Sequence, residues 1–429
     1  MKYIQLIFVF VLTSLIVGCN SKNKTQITNS KDYEDFLALS DNISLKSAKE
    51  ELIFWESKLK NHPDQYPYQA KLATANSSVF MASGNINHLK KAENNLLFVN
   101  KKTKFNNASY LRSLARNYIS QHRFKEAYTL LNACYKGVSN KHQTALMLFD
   151  VSMELGYYDE AYKWLSKVKD NSDFNYLIRS SKWMDYKGNL DAAIKYMEQA
   201  QEIAISRKSK QLQLWTTSNL GDYYGHAGRV EDAYKAYLNT LELDPENAYA
   251  LKGIAWIVFA HENNPTESLR IINFLESRSK TPDYLLLKAE CLEAQGKTTE
   301  ANKALQAFYT KVQNPDYGIM YRTHTINLLL DANPQQALLL AKEEVLSRKT
   351  PETYHLLAYA HLKNGNKAKA LELCKNNVEG KTFEPDALLH MALIYKALDM
   401  QEEVNSLKKE LLSAAFEIGP SAFQKVLKL

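Results

Sequence analysis

Residues 214–247, LWTTSNLGDYYGHAGRVEDAYKAYLNTLELDPEN, contain the pattern that decides the fold. Gly228 marks the end of a first helix. The residue after a helix often adopts the left-handed conformation, whose steric cost is lowest for glycine. Ala233 follows five residues later and is small enough for two helices to cross closely. Tyr237 lies one turn further on the same face, where it fills the core. The stretch therefore predicts two antiparallel helices, with Pro245 at the start of the next unit.

The spacing from glycine to alanine recurs along the chain. The five pairs are Gly156 and Ala161, Gly188 and Ala193, Gly228 and Ala233, Gly296 and Ala301, and Gly365 and Ala370. Weaker units are marked by Ala92, Ala127, Ser268, Ala337 and Val404. Consecutive markers lie 32 to 40 residues apart. Self-similarity at a fixed period near ~34 residues is typical of helical repeat arrays.

The motif Leu220-Gly221-x-x-Tyr224, followed by Gly228, Ala233-x-x-x-Tyr237 and Asp244-Pro245, resembles the tetratricopeptide repeat (TPR) family. Thr217 stands where that family has a tryptophan. The resemblance implies an all-α fold, a right-handed α-solenoid of about nine or ten TPR-like helix pairs plus terminal caps. We expect an N-terminal helical cap over residues 32–83, the repeat array over 84–410 and a C-terminal capping helix over 411–429.

Composition agrees with a folded helical protein. Hydrophobic residues make up 45% of the 429 and charged residues 24%, whereas glycine (14) and proline (10) are scarce. Few residues are therefore available for the tight turns of an all-β fold. The net charge of +7 is spread over the chain, and its clearest clusters, residues 101–104 and 207–210, are short. No nucleic-acid module accompanies them, so we do not expect nucleic-acid binding.

The amino terminus reads as an export signal. Lys2 precedes an apolar stretch over residues 4–17, which is shorter than the ~20 residues that span a bilayer as a helix. Ile16-Val17-Gly18-Cys19 then resembles a lipobox. The resemblance implies a signal peptide over residues 1–19, cleavage before Cys19 and lipidation of its thiol, which would anchor the chain to a membrane.

Residues 20–31 are polar with a single aliphatic side chain, which predicts a flexible tether. In the Gram-negative lipoproteins that this region resembles, an aspartate after the cysteine marks retention at the inner membrane. An acidic run marks transfer to the cell surface in some lineages. Asn20 follows Cys19 and no acidic run follows it, so we expect the periplasmic face of the outer membrane.

Patterns that carry chemistry are missing from the sequence. Cys134, Cys291 and Cys374 form no disulfide framework, and their register within the repeats predicts buried core positions. None of the ten histidines has metal-ligand spacing, and no nucleophile elbow, dinucleotide fingerprint or phosphate-binding loop occurs. We therefore expect no metal, no cofactor and no catalytic residue.

The first helix of each repeat faces the concave side in the family, so spacing of about four residues along these helices identifies candidate contacts. Mixed charge with interleaved aromatic side chains suits protein or peptide recognition. The candidate partner-binding residues are Arg112, Arg116, Asp150, Lys182, Asp185, Trp215, Asp222, Tyr249, Lys252, Trp256, Glu290, Glu293, His355 and Tyr359.

Three functions remain open from the sequence. The leading one is a membrane-anchored, non-catalytic scaffold of the cell envelope that binds a protein or peptide partner. The second is an outer-membrane lipoprotein that captures a glycan nutrient, although a spacing near ~34 leaves no room for the loop insertions of such proteins. The third is an unrecognised enzyme, whose first sign would be a deep pocket with converging titratable residues.

Overall fold

The computed structural model describes residues 26–137 and 139–429. The predicted signal peptide, Cys19 and the first part of the predicted tether lie outside the described residues. Within the described ranges the chain forms helices and turns, with no β-strand. None of these helices combines the length and apolar character needed to cross a bilayer.

Two helices, α1 (Glu34–Leu37) and α2 (Ile43–Asn61), precede ten helix pairs in the described chain. The first five pairs are α3 (Pro67–Ser83) and α4 (Ile86–Lys102), α5 (Ala108–Ser120) and α6 (Phe124–Lys136), α7 (Lys141–Leu155) and α8 (Tyr158–Lys167), α9 (Phe174–Tyr186) and α10 (Leu190–Ser206), and α11 (Lys210–His226) and α12 (Val230–Leu243). The other five are α13 (Ala248–Trp256) and α14 (Pro265–Arg278), α15 (Asp283–Ala294) and α16 (Thr298–Val312), α17 (Arg322–Ala332) and α18 (Pro334–Ser347), α19 (Pro351–Lys363) and α20 (Lys367–Asn377), and α21 (Pro385–Lys396) and α22 (Gln401–Ser413). A π-helical turn, Ile257–His261, extends α13, and α23 (Ala415–Leu427) ends the chain. The predicted helical solenoid is confirmed.

The helices begin where the sequence supplies caps. Asn189 and Asn247 precede α10 and α13, and their side chains accept hydrogen bonds from the backbone N–H groups of Ala192 (3.1 Å) and Ala250 (3.0 Å). Such residues satisfy donors that have no partner within the helix. Proline opens α3, α14, α18, α19 and α21, where its missing N–H costs nothing.

The small marker residue occupies one structural position. In nine of the ten described pairs it is the fourth residue of the second helix, and each of these side chains is at most 2% exposed. The markers predicted from glycine-to-alanine spacing, Ala161, Ala193, Ala233, Ala301 and Ala370, all belong to this set. Their small volume lets the two helices of a pair approach closely, which confirms the predicted crossing.

The first pair differs from the prediction. Ala92 is the seventh residue of α4, whereas the fourth residue is Leu89. Leu89 also lies five residues after Gly84, a left-handed residue, so Leu89 rather than Ala92 marks the unit. The predicted boundary at residue 84 falls between α3 and α4, and the array begins at Pro67. Sequence reasoning followed the alanine because leucine is common everywhere in helices.

A residue in the left-handed conformation lies five positions before the marker in nine turns of the described array. Its φ angle ranges from 56° to 80°. The nine residues are Gly84, His122, Gly156, Gly188, Gly228, Asn263, Gly296, Gly365 and Asp399. The exception joins α17 to α18 through Asn333 alone, where Pro334 starts the second helix at once.

Successive turns of the superhelix contact one another. The backbone N–H of Lys280 donates to the carbonyl of Ser83 at 2.7 Å, and Arg348 lies 3.6 Å from Glu154. The partners in these contacts are roughly 195 residues apart, which is nearly six units at the usual period of ~34. Two successive turns therefore stack directly, and their first helices enclose an interior.

The described end of the predicted tether, residues 26–31, is bound to the solenoid, so the prediction of a flexible segment there is wrong. The backbone N–H groups of Ile27 and Thr28 donate to the Glu262 carboxylate at 2.7 and 2.6 Å. Tyr33 is 1% exposed, and its hydroxyl donates to Glu267 at 2.9 Å. The polar composition of this segment suggested disorder. Its binding partners could not be recognised from the sequence, because they lie more than 200 residues away.

The predicted C-terminal cap also differs from the structure. Residue 411 lies inside α22, and only α23 follows the last pair. Gly419 (φ 77°) breaks α23 before Pro420. The segment packs against α21 and α22 but also reaches α11, α15 and the π-helical turn of α13. It therefore enters the interior of the superhelix and does more than cover the last pair.

The three cysteines of the described chain confirm the predicted core positions. Cys134, Cys291 and Cys374 are buried and form no disulfide. Burial raises the pKa of the Cys291 and Cys374 thiols to about 11. Both groups therefore remain thiols near neutral pH.

Gly156 and Gly296 share a left-handed backbone but differ in surroundings. A Cβ on Gly156 would collide with the backbone oxygen of Lys349 in the neighbouring turn, whereas a Cβ on Gly296 would meet nothing within 4 Å. We expect Gly296→Ala to cost about 1 kcal/mol of unfolding free energy, from backbone strain alone. Gly156→Ala should cost at least twice as much in chemical denaturation. Equal losses would contradict direct stacking of the turns.

Candidate binding channel

Three adjoining cavities lie along the interior of the superhelix, with volumes of about 430, 420 and 680 Å³. His226 and Glu417 line all three, and Trp256 and Glu290 line the first and the third. Most lining residues come from the first helices of the pairs, together with α23. We call this continuous space the channel.

The lining of the channel is acidic. Its carboxylates are Glu154, Asp185, Asp222, Asp283, Glu290, Asp331, Glu352, Glu384, Asp386 and Glu417. Its lysines and arginines are Lys182, Lys252, Arg348 and Lys425. With all of these groups ionised, ten negative charges face four positive ones, although the whole chain carries +7.

Asp222 is held in place by two tyrosines. The Tyr237 hydroxyl donates to Asp222 Oδ1 at 2.6 Å, and the Tyr249 hydroxyl donates to Oδ2. The Tyr237 ring fits between Gly221 and Gly253, since a Cβ on Gly221 would lie 2.5 Å from it and one on Gly253 would also collide with it. The two glycines therefore let a core tyrosine of α12 reach the channel wall.

Residues 414–420 form a strap across the channel. The indole N–H of Trp256 donates to the carbonyl of Phe416 at 3.2 Å. A Cβ on Gly225 would lie 2.9 Å from the Phe416 ring, and one on Gly419 would lie 2.6 Å from the Trp256 ring. Glu417 Oε1 lies 3.8 Å from His226 Nδ1. The two glycines give room for this close contact.

Confinement inside the superhelix changes the acidity of the channel carboxyls. Burial, with a contribution from Asp386, raises the pKa of Glu290 to about 7. Burial together with Glu417, Glu352 and Asp185 raises that of Glu384 to about 7. Burial also raises the pKa values of Asp185, Asp222, Asp386 and Glu417. These carboxyls hold protons more tightly than free carboxyls because desolvation disfavours their charged forms, and repulsion by other carboxylates adds to this at Glu290, Glu384 and Glu417.

An ion-pair network joins the two turns at one side of the channel. Lys182 Nζ lies 2.8 Å from Glu154, and Arg348 of the neighbouring turn approaches the same carboxylate. Arg348 also donates to Glu344 at 2.7 Å. Two of the four cationic side chains of the channel are therefore engaged with the chain's own carboxylates.

His355 and His390 form a pair at the third cavity, in which His355 is buried and His390 is half-buried. Their Nδ1 atoms lie 2.9 Å apart, so one ring donates and the other accepts. Burial lowers the pKa of His355 to about 3 and also lowers that of His390. The Tyr359 ring stacks on His390 at a centroid distance of 4.1 Å. The pair is neutral near pH 7. Across the described ranges, no group of three or more histidine, cysteine or carboxylate side chains could hold a metal ion.

Eight of the fourteen predicted partner-binding residues line the channel. They are Lys182, Asp185, Asp222, Tyr249, Lys252, Trp256, Glu290 and Tyr359. Tyr249 is 55% exposed, whereas Tyr359 is almost covered. Spacing along the first helices thus identified residues from five different repeats that the fold brings to one surface.

The other six lie elsewhere. Arg112 is 8% exposed and donates to Thr144 at 3.3 Å between helices, so its predicted place on an open surface is wrong. His355 is also buried, so the same prediction is wrong for it. Asp150 accepts from Arg179 at 2.6 Å. Arg116, Trp215 and Glu293 are exposed outside the channel.

Sequence reasoning missed several channel residues. His226 and Glu384 lie at the ends of helices, next to turns, so a four-residue spacing along the helix faces does not include them. Phe416 and Glu417 lie in the strap, which looked like part of a terminal cap. The Gly419-Pro420 break was the only available signal that this segment turns away from the last pair.

The tetratricopeptide repeat family model matches residues 218–271, from the second half of α11 into α14. The match includes Gly228, Ala233 and Tyr237, and these residues occupy the left-handed turn, the close crossing and the core. Residues 218–271 therefore form tetratricopeptide repeats. The family-model match spans parts of two of the ten described pairs, and the other pairs share the arrangement of two helices joined by a short turn.

Similar solved structures include a human IFIT1 dimer with PPP-AAAA, at 14% identity and a TM-score of 0.47 over 72% of this chain and 71% of that one. A tetratricopeptide repeat protein from Parabacteroides merdae has 15% identity and a TM-score of 0.36, over 71% and 98%. The Cut9–Hcn1 hetero-tetramer of APC/C has 14% identity and a TM-score of 0.35, over 94% and 98%. No curated protein matches the sequence.

Replacing Glu290 with glutamine should stabilise the repeat array at pH 8. The folded pKa of about 7 exceeds the ordinary 4.5, so folding favours the protonated form. That contribution is complete below pH 4.5 and is lost as pH rises through 7, where a charged Glu290 disfavours folding. We expect the Tm of E290Q to exceed wild type by about 1–3 °C at pH 8.

The difference in Tm should shrink towards pH 5, where wild-type Glu290 is protonated. The control is Glu293→Gln, which makes the same change on the exposed face of the same helix and should leave Tm unchanged. An E290Q advantage that is equal at pH 5 and pH 8 would contradict a raised pKa.

Gly419→Ala should release the strap. The new methyl group would overlap the Trp256 ring and would also strain a left-handed backbone. Gly380→Ala is the matched control, because Gly380 has a similar φ of 67° and nothing within 4 Å of its Cβ position. We expect limited proteolysis to cleave G419A after residue 413 at least several times faster than G380A. Equal cleavage rates would show that the Trp256 contact does not retain the strap.

Proposed function

We propose that this protein is a non-catalytic scaffold, anchored to the bacterial cell envelope by a lipid on Cys19, and that its channel binds a segment of a protein partner. The observation that carries the proposal is the channel itself. Side chains from both superhelical turns, including Tyr249 and Trp256, line one continuous interior surface. Solenoids of this kind use their concave surfaces for binding.

The chemistry of the buried nucleophiles supports a non-catalytic role. A cysteine reacts as its thiolate, and the pKa values of about 11 at Cys291 and Cys374 keep both groups protonated. Cys291 donates to the Ser268 hydroxyl at 3.4 Å inside a helix crossing. These residues fill the core and do not open into the channel.

The bound amino-terminal segment supports a short anchor. Seven peptide steps separate Cys19 from Gln26, and such a chain spans at most about 25 Å. Beyond Gln26, Ile27 and Thr28 are tied to Glu262. A lipid on Cys19 would therefore hold the surface around Glu262 near the membrane, with the periplasmic face of the outer membrane as the expected location.

Affinity capture from solubilised envelope membranes tests the scaffold proposal. The bait is the full chain with a carboxyl-terminal tag, as wild type and as the double variant Tyr249→Ala/Trp256→Ala. The double variant removes two aromatic side chains from the channel wall, so we expect captured proteins to fall at least tenfold. Cys19→Ser expressed in the same cells should leave the membrane fraction.

The matched control is Trp215→Ala, which removes a 41% exposed tryptophan outside the channel and should retain the full set of captured proteins. Circular dichroism melting must first show that all variants fold. Identical capture by wild type and the double variant, or no captured protein at all, would refute partner binding in the channel. Retention of the Cys19→Ser protein at the membrane would refute the lipid anchor.

A further inference from the structure

The sign of the channel's charge differs from that of the chain. A protein with a net charge of +7 has an interior surface on which ten carboxylates face four cationic groups. Lys182 and Arg348, two of those four, already pair with Glu154. Only two cations of the lining, Lys252 and Lys425, therefore remain to face the other nine carboxylates.

Several channel carboxylates have no bonding partner. Within the described chain, no donor or cation lies at hydrogen-bond or ion-pair distance from the side chains of Asp185, Glu290, Glu384 or Asp386. Asp185 and Glu290 are half-buried in the channel wall, and Glu384 and Asp386 are exposed to the channel. Confined charges without partners are costly unless a ligand supplies the opposite charge.

We propose that the channel binds a lysine- or arginine-rich segment of a protein partner. This inference rests on the proposed function and names the chemistry of the partner. A basic side chain brings a cation to the unpaired carboxylates and an apolar stem that can pack on Trp256 and Tyr249. The same negative surface repels nucleic acids and other polyanions.

The shape of the channel favours an extended segment over a single ion or a small cation. The three cavities adjoin through His226 and Glu417, and each holds about 400 Å³ or more. Unpaired carboxylates occur in every cavity, with Asp185 in the second, Asp386 in the third and Glu290 in both the first and the third. Several cationic side chains on one backbone can reach these separate positions together.

The test uses two fluorescein-labelled peptides, one of alternating lysine and phenylalanine and one with glutamate in place of lysine. Anisotropy titrations use the full chain at pH 8, above the pKa of Glu290, at low and at physiological salt. We expect the lysine peptide to bind, to weaken as salt rises, and to bind at least tenfold more tightly than the glutamate peptide.

The test variant is Asp185→Asn/Glu290→Gln/Asp386→Asn, which removes three unpaired charges with little change of shape. It should weaken binding of the lysine peptide at least tenfold. The control, Glu293→Gln/Glu402→Gln/Glu410→Gln, removes three charges from exposed positions outside the channel and should bind as wild type does. If the test variant fails to fold, E290Q alone should still weaken binding severalfold.

Several results would overturn the inference: equal or tighter binding of the glutamate peptide, identical loss in the test and control variants, or displacement of the lysine peptide by spermine at equal concentration. The two proposals fail separately. A captured partner that engages the channel through an acidic segment would refute the inference alone. Absence of any captured partner, with charge-dependent binding of the lysine peptide intact, would refute the scaffold proposal alone.

Discussion

The structure depends on one backbone constraint, a left-handed residue placed five positions before the marker at each close helix crossing. This residue reverses the chain within a few positions, so that the second helix returns along the first. Glycine adopts the conformation at no steric cost, whereas His122, Asn263 and Asp399 each bear a penalty of about 1–2 kcal/mol. The array tolerates that cost because the buried crossing beside each turn contributes more.

The same turns also decide how the superhelix closes. Gly84, Gly156 and Gly188 in the first superhelical turn lie against Thr281, Lys349 and Phe383 in the second. Gly228, Gly296 and Gly365 have open space where a side chain would begin. Glycines at equivalent positions of the repeat therefore have different structural roles. The first three permit both the reversal and the contact between turns, and the others permit the reversal alone.

This division explains what the sequence could and could not predict. The period and the small residue at Ala161, Ala193 and later units are local, so they predicted the helix pairs. The contact between turns depends on small rotations from one helix pair to the next, summed over nearly six units. No local sequence pattern determines that sum. Thr28 meets Glu262, and Phe416 meets Trp256, only after the turns have stacked. The sequence near Thr28 and Phe416 therefore suggested a free tether and a simple cap.

Spacing along the first helices includes some channel residues and also residues outside the channel, for a related reason. First helices do face the interior, which is why spacing along them identified Asp222, Trp256 and Glu290. A helix face, however, contains both the open groove and the margins that pack on the next pair. Arg112 lies on such a margin, where its guanidinium donates to Thr144. Only the angle between neighbouring pairs distinguishes the two, and that angle is a property of the assembled solenoid.

The strap gives the acidic channel a further consequence. Glu417 belongs to the strap, and it adds a carboxylate to an interior that already contains Asp185 and Asp386. Burial raises the pKa of Glu417, His226 opposes this by attraction, and repulsion from Asp185 and Asp386 adds to the rise. The Trp256–Phe416 hydrogen bond therefore holds the strap against unfavourable electrostatics. A cationic occupant would neutralise these charges and favour the position of the strap across the channel. The ligand would then stabilise the strap across the channel. The same carboxylates repel Glu417 of the strap when the channel is empty and attract the basic segment when it binds.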